Sequence, residues 1–186
     1  VFRTRHGSTA VVLGDVCGKG LPAALLMGLL HGAVRLSSDS SDPCDLAAGT
    51  RALNELLCVR TSRERFASLF WADYDPATRL LRYVNAGHLP PLVVRGSQAF
   101  RLETGGLVLG IIPGAAYDQG EMQLQPDDVL VIYSDGVTEP ANPAGEEFGE
   151  ARLLTLLQPH CPRPVSDLPR EIVQAVTTFA GPQPLP

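Results

Sequence analysis

Two acids carry the chemical interest of this 186-residue chain. Asp15 closes the apolar run Thr9 to Val16, and Asp135 follows the apolar run Val129 to Tyr133; each sits beside a glycine, Gly14 in one case and Gly136 in the other. A carboxylate set against a buried strand is costly unless something neutralises it, and a hard divalent cation that accepts oxygen ligands does so. Mg²⁺ or Mn²⁺ fits that role. The glycines let the backbone turn tightly, so the carbonyl of Val16 can join such a shell. Spacing alone leaves a plainer alternative open, because aspartate next to glycine is also ordinary turn chemistry and both acids could simply cap turns.

Lys19 is the only lysine among the 15 basic residues, and it lies in Gly18-Lys19-Gly20 just ahead of a helical segment. Amides at a helix start together with a lysine suit an anion. The nucleotide-binding version fails, since a Walker loop requires glycine where Leu13 stands and serine or threonine where Gly20 stands. GxSxG, HExxH and CxxC patterns are absent, so covalent or zinc-protease chemistry has no carrier. His88, in Asn85-Ala86-Gly87-His88-Leu89-Pro90-Pro91, could donate a proton, although a histidine in a tight turn more often bonds its own loop. Cys17 has no base beside it and is assigned to packing.

The elements that must position these residues follow from periodicity. The stretch from Val1 to Val16 reads as a hairpin with its turn at RHGST, and the strand Thr9 to Val16 as buried on both faces. Leu21 to Leu36 has helical spacing with Pro22 in its first turn; its apolar part, Leu21 to Val34, falls short of the roughly 20 residues a bilayer requires and reads as a buried helix. A second helix is expected from Pro43 to Val59 with Asp42 as its cap. A hairpin over Phe66 to Val94 turns at Asp75-Pro76-Ala77-Thr78. Short strands follow at Phe100 to Leu102, Tyr117 to Leu124 and Val129 to Tyr133, then helices at Glu150 to Leu157 and Val165 to Phe179.

The length suits one domain over residues 1–186. A formal net charge of -5 argues against a nucleic-acid partner. Cys17, Cys44, Cys58 and Cys161 are too scattered for a zinc knuckle or a disulfide framework, which points to a cytoplasmic setting, and no membrane segment is expected.

GDVCGKGLPAALLM, FASLFWADYD with LLRYVNAGHLPPLVV, GGLVLGI and DDVLVIYSDGVTEPANPAGEEFG occur in that order. Together they resemble the bacterial metal-dependent protein phosphatases (PPM family) of the stage II sporulation protein E type. The resemblance implies an α+β fold, a four-layer α-β-β-α sandwich of two antiparallel sheets flanked by helix pairs, with two Mn²⁺ or Mg²⁺ ions in a cleft. It implies Asp15 as the acid bridging both ions, the Val16 carbonyl as a backbone ligand, Asp135 as a further metal acid, and Gly18, Lys19 and Gly20 as the rim, with His88 also at the rim. The implied activity is metal-dependent hydrolysis of phosphoserine or phosphothreonine in a regulatory protein of the anti-sigma-factor antagonist type. The implied neighbours are an upstream sensory or receiver domain, acting through the first two helices on Asp15, and a homodimer.

The family pattern begins with a strand carrying another acid and continues past the last helix into a strand end bearing two acids and a threonine; the chain starts after the first and stops at Pro186 before the second. Weak or incomplete metal binding is therefore expected. The rival reading is a catalytically silent module that binds a phosphorylated partner, and a third is a hydrolase of small phosphoesters.

Overall fold

The computed structural model describes residues 1–38, 45–60, 65–157 and 165–181. In chain order the strands are β1 (Phe2–Arg3), β2 (Thr9–Val16), β3 (Ala67–Asp75), β4 (Leu80–Ala86), β5 (Leu92–Arg95), β6 (Gln98–Arg101), β7 (Gly105–Gly106), β8 (Gly120–Gln123) and β9 (Val129–Val131). The helices are α1 (Leu21–Ser38), α2 (Leu46–Arg60), α3 (Asp135–Thr138), α4 (Gly149–Leu157) and α5 (Leu168–Ala180). The chain is thus mixed α+β with two sheets, as expected, and it divides into two compact units: Val1–Pro90 with Leu102–Leu124, and Pro91–Arg101 with Gln125–Pro186.

The first unit is a sheet in the order β1-β2-β3-β4-β7, with β8 also on β4. Alternation sorts its residues by face. Val16, Ala67, Leu69, Trp71, Val84 and Ala86 join Leu26, Leu30 and Val34 of α1 and Leu46, Leu53 and Leu57 of α2 in one core. α2 lies so close that a Cβ on Gly49 would come within 2.7 Å of the Trp71 ring. The pairing of β4 with β7 is parallel, a departure from the all-antiparallel sheet expected, and a Cβ on Gly105 would overlap the Asn85 carbonyl. The hairpin of β3 and β4 turns where the sequence places it: Asp75 accepts from the Ala77 N–H at 2.9 Å and from the Thr78 hydroxyl at 2.7 Å.

Other expectations need correction. Apart from Ala10 and Val16, β2 is half-buried or exposed rather than buried on both faces, and β1 covers only its Thr9 and Ala10. α1 runs longer than expected, to 18 residues, which by length and composition suffices to cross a membrane; only 22% of it is buried, with Leu21, Leu25 and Leu36 exposed. It packs one stripe on the sheet and leaves the other outward. The start of α2 is capped by Asp45, whose carboxylate accepts the Ala48 N–H at 2.7 Å; Asp42 and Pro43 lie outside the described residues, as do Cys44 and Cys161.

The second unit is a sheet in the order β6-β5-β9, whose Leu92, Val94, Val131 and Tyr133 pack with Leu153, Leu157, Leu168, Ile172 and Val176 from α4 and α5. Each unit therefore supplies one β layer and one α layer. Phe148 meets Phe179 edge-on with centroids 5.5 Å apart, and Arg152 lies 4.5 Å above the Phe179 ring. Arg95 grips Asp128 with two hydrogen bonds of 2.9 and 2.6 Å.

Candidate functional site

Asp15 is the penultimate residue of β2, and the chain leaves the strand there through Cys17-Gly18-Lys19-Gly20. Gly18 at φ 101° and Gly20 at φ 81° adopt left-handed backbone that other residues resist, so the loop turns sharply into α1. The Asp15 carboxylate is exposed and makes no ion pair or side-chain hydrogen bond among the described residues; the same holds for the Lys19 ammonium. Cys17 is exposed and unbonded to sulfur, so it is not the packing residue the sequence suggested.

The ladder fixes what stands around Asp15. The Cys17 N–H donates to the Phe66 carbonyl at 2.9 Å, and Asp15 is paired with Ser68. Antiparallel pairs alternate between bonded and non-bonded, which makes Asp15–Ser68 a bonded pair and Val16–Ala67 a non-bonded one. The Val16 carbonyl is therefore turned to the outer edge of β2, off the ladder to β3. Directly opposite residues project on one face, so Asp15 and Ser68 share the side of the sheet away from α1 and α2.

Ser68 is in turn bound to His88, with Oγ to Nδ1 at 2.9 Å. His88 is 7% exposed and is held from behind: its backbone N–H donates to the Asn85 Oδ1 at 2.8 Å, while the Asn85 Nδ2 donates to the Leu102 carbonyl at 3.2 Å. Gly87, at φ 67°, has no room for a side chain against Val108. His88 is thus buried rather than open to a rim, and its imidazole bonds Ser68 of β3. Ser68 carried no mark in the sequence. It lies in a strand joined to β2 only through two helices, so nothing local reveals which β3 residue faces Asp15.

Asp135 belongs to the second unit. It does not end a strand: β9 stops at Val131, and Asp135 opens the short helix α3 after Ser134, whose φ of -104° and ψ of 176° are extended. The Glu139 N–H closes that turn on the Asp135 carbonyl at 2.8 Å, leaving the carboxylate exposed and unpartnered among the described residues. Nearby, burial first and the Glu150 carboxylate second push the Tyr133 hydroxyl well above its ordinary range; it donates to Glu150 at 3.0 Å.

Taken unit by unit, the donors suit a hard divalent ion in kind: a carboxylate unengaged among the described residues and a carbonyl off the ladder in the first unit, and one such carboxylate in the second. In number they fall short, since no group of three or more His, Cys, Asp or Glu gathers among the described residues.

Comparison with known proteins agrees with the motif order. The chain is 33% identical over 135 residues to the phosphoserine phosphatase RsbU of Bacillus subtilis (strain 168), covering 71% of this chain and 39% of that protein. It is 29% identical over 174 residues to protein IcfG of Synechocystis sp. (strain ATCC 27184 / PCC 6803 / Kazusa), covering 80% of this chain and 27% of that one. The chain therefore spans well under half the length of these relatives. Among solved structures, the SiaA-PP2C domain of Pseudomonas aeruginosa superposes with a TM-score of 0.77 at 19% identity, over 96% of this chain and 76% of that one, which is a likeness of fold. The model of the stage II sporulation protein E (SpoIIE) family matches residues 5–184, nearly end to end, and the chain belongs to that family.

Proposed function

We propose that this chain is the phosphatase domain of a metal-dependent serine/threonine protein phosphatase, its two units forming one domain. The observation that carries this reading is that Asp15 and Asp135, each beside a glycine at the end of β2 or the start of α3, have exposed carboxylates without partners among the described residues in a chain of this family. In that reading Asp15, the Val16 carbonyl and Asp135 hold Mn²⁺ or Mg²⁺. The bound ions would supply Lewis acidity and an acidified water for in-line attack on phosphorus.

The chain's own residues then do the positioning. Gly18 and Gly20 keep the approach to Asp15 free of side chains, and the exposed Lys19 ammonium offers a point charge to phosphoryl oxygens. Water adds to phosphorus as the serine or threonine oxygen departs, giving inorganic phosphate and the free hydroxyl, with no phosphorylated enzyme required. The leaving oxygen takes up a proton from solvent or a nearby acid. We infer a phosphoprotein as substrate, which the similarity to a phosphoserine phosphatase supports; that it is cytoplasmic and of the anti-sigma-factor antagonist type rests on the motif resemblance alone. The outward stripe of α1, Leu21, Leu25 and Leu36, is consistent with a regulatory surface for an upstream sensory or receiver domain or for a homodimer.

The test is Mn²⁺-dependent hydrolysis of p-nitrophenyl phosphate by the full chain and by Asp15→Ala and Asp135→Ala. Each substitution is expected to lower kcat/KM by at least about 100-fold, the scale on which loss of a charge-stabilising group reads out. Full activity in both variants would refute the assignment. An inert unsubstituted chain that still binds a phosphopeptide would identify the silent module instead.

A further inference from the structure

We propose that Ser68 and His88 form a positioning pair for Asp15, so that the imidazole sets the direction of the Ser68 hydroxyl and the hydroxyl sets the carboxylate. The proposal rests on the reading of Asp15 as a metal ligand.

Ser68 stands directly across the ladder from Asp15, on the same face. Side chains so placed have Cβ atoms about 4.5 to 5.5 Å apart, within reach of a hydroxyl–carboxylate hydrogen bond. The Ser68 oxygen already meets the His88 Nδ1 at 2.9 Å. A hydroxyl has one hydrogen and two lone pairs. If Nδ1–H donates to Oγ, the hydroxyl hydrogen is released for another acceptor, and the carboxylate across the ladder is that acceptor. No such bond to Asp15 is made in this structure, where the carboxylate is unengaged among the described residues; a side-chain rotation of Asp15 would form it.

What makes the pair a device rather than a chance contact is how firmly its far end is built. His88 is 7% exposed and Asn85 4% exposed, and Asn85 is spent on both sides, accepting the His88 N–H and donating to the Leu102 carbonyl. Gly87 lies against Val108 with no space for a side chain. These contacts fix the His88 backbone, and burial confines its ring, so the imidazole can transmit direction to Ser68. Groups that orient a metal's carboxylate ligands from behind commonly contribute 10- to 100-fold in affinity. Neither Ser68 nor His88 touches the reacting atoms in this scheme.

The experiment titrates the full chain with Mn²⁺ and follows the electron paramagnetic resonance of the free ion, with thermal unfolding as the check on folding. Ser68→Ala and His88→Gln are expected to weaken binding about 10- to 100-fold. Ser68→Thr keeps the hydroxyl, and His88→Asn places an amide N–H where Nδ1 stands; both should stay close to the unsubstituted chain. The Asn and Gln variants are of similar size and polarity, so a merely structural role would not separate them. Combining Ser68→Ala with His88→Gln should do no more than the larger single effect, as for groups acting in series. Binding by Ser68→Ala and His88→Gln equal to that of the unsubstituted chain, while Asp15→Ala loses the ion, would overturn the pair and leave the metal site standing. Equal binding by Asp15→Ala, or no binding by the unsubstituted chain, would overturn the site and the pair together.

Discussion

Asn54 ties Gly110 to α2: its Oδ1 accepts the Gly110 N–H at 2.9 Å, and its Nδ2 donates to the Ile112 carbonyl, also at 2.9 Å. Asn54 is fully buried, and its one amide serves both the buried Gly110 and the exposed Ile112. Asn54→Ala would leave the buried Gly110 N–H unmet, at about 1 to 3 kcal/mol. Urea denaturation should show a lower midpoint with an unchanged slope, while Glu55→Gln, an exposed neighbour bonding the Gly114 N–H, should fall by much less.

Gly105→Ala is expected to be far more damaging than any surface change. The new methyl group would overlap the Asn85 carbonyl, and Asn85 is also the residue that holds the His88 N–H. Because the clash is with backbone, the β4–β7 pairing must separate, and a loss beyond about 4 kcal/mol marks such cases. Circular dichroism on heating should show a destabilised or unfolded chain. Gly28→Ala, within α1 and with nothing near its Cβ, should be neutral or stabilising in the same assay.

Two carboxylates should give opposite pH responses. Burial lifts Asp73 above the usual carboxylate range, against the pull of the Ser8 hydroxyl at 2.6 Å and of Arg82. The folded chain then holds that proton more tightly than the unfolded one, so its favourable contribution is full below about pH 3.9 and is lost as pH rises through the folded value. Hydrogen bonds from Arg95 hold Asp128 below its usual range, so its contribution is present above about pH 3.9 and is lost as pH falls through the folded value. Thermal midpoints across pH check both. Asp73→Asn should flatten the decline toward neutral pH without a loss at pH 7. Asp128→Asn should be less stable at pH 7, with the gap closing in acid.

Legibility followed the range of the interactions. The turn at Asp75-Pro76-Ala77-Thr78 is a property of neighbouring residues, and it stands where the sequence placed it. Asp135 was marked by its glycine, but strand and short helix differ over four residues by backbone angles alone, so a strand end was expected where α3 begins. The exposure of Leu21 and Leu25 was hidden because an apolar residue carries no sign of whether a partner covers it. The facing of Asp15 and Ser68 was least legible, since the register is set by the whole β2–β3 ladder across the two intervening helices.

β1 shields only the first two residues of β2, so the peptide groups of Val12, Gly14 and Val16 look outward with no strand beside them among the described residues. An extended segment added along that row would take its main-chain hydrogen bonds from those peptides, the last of them the one whose oxygen sits next to the acid. Anything that paired along the sheet's margin would therefore bear, through main chain, on that oxygen.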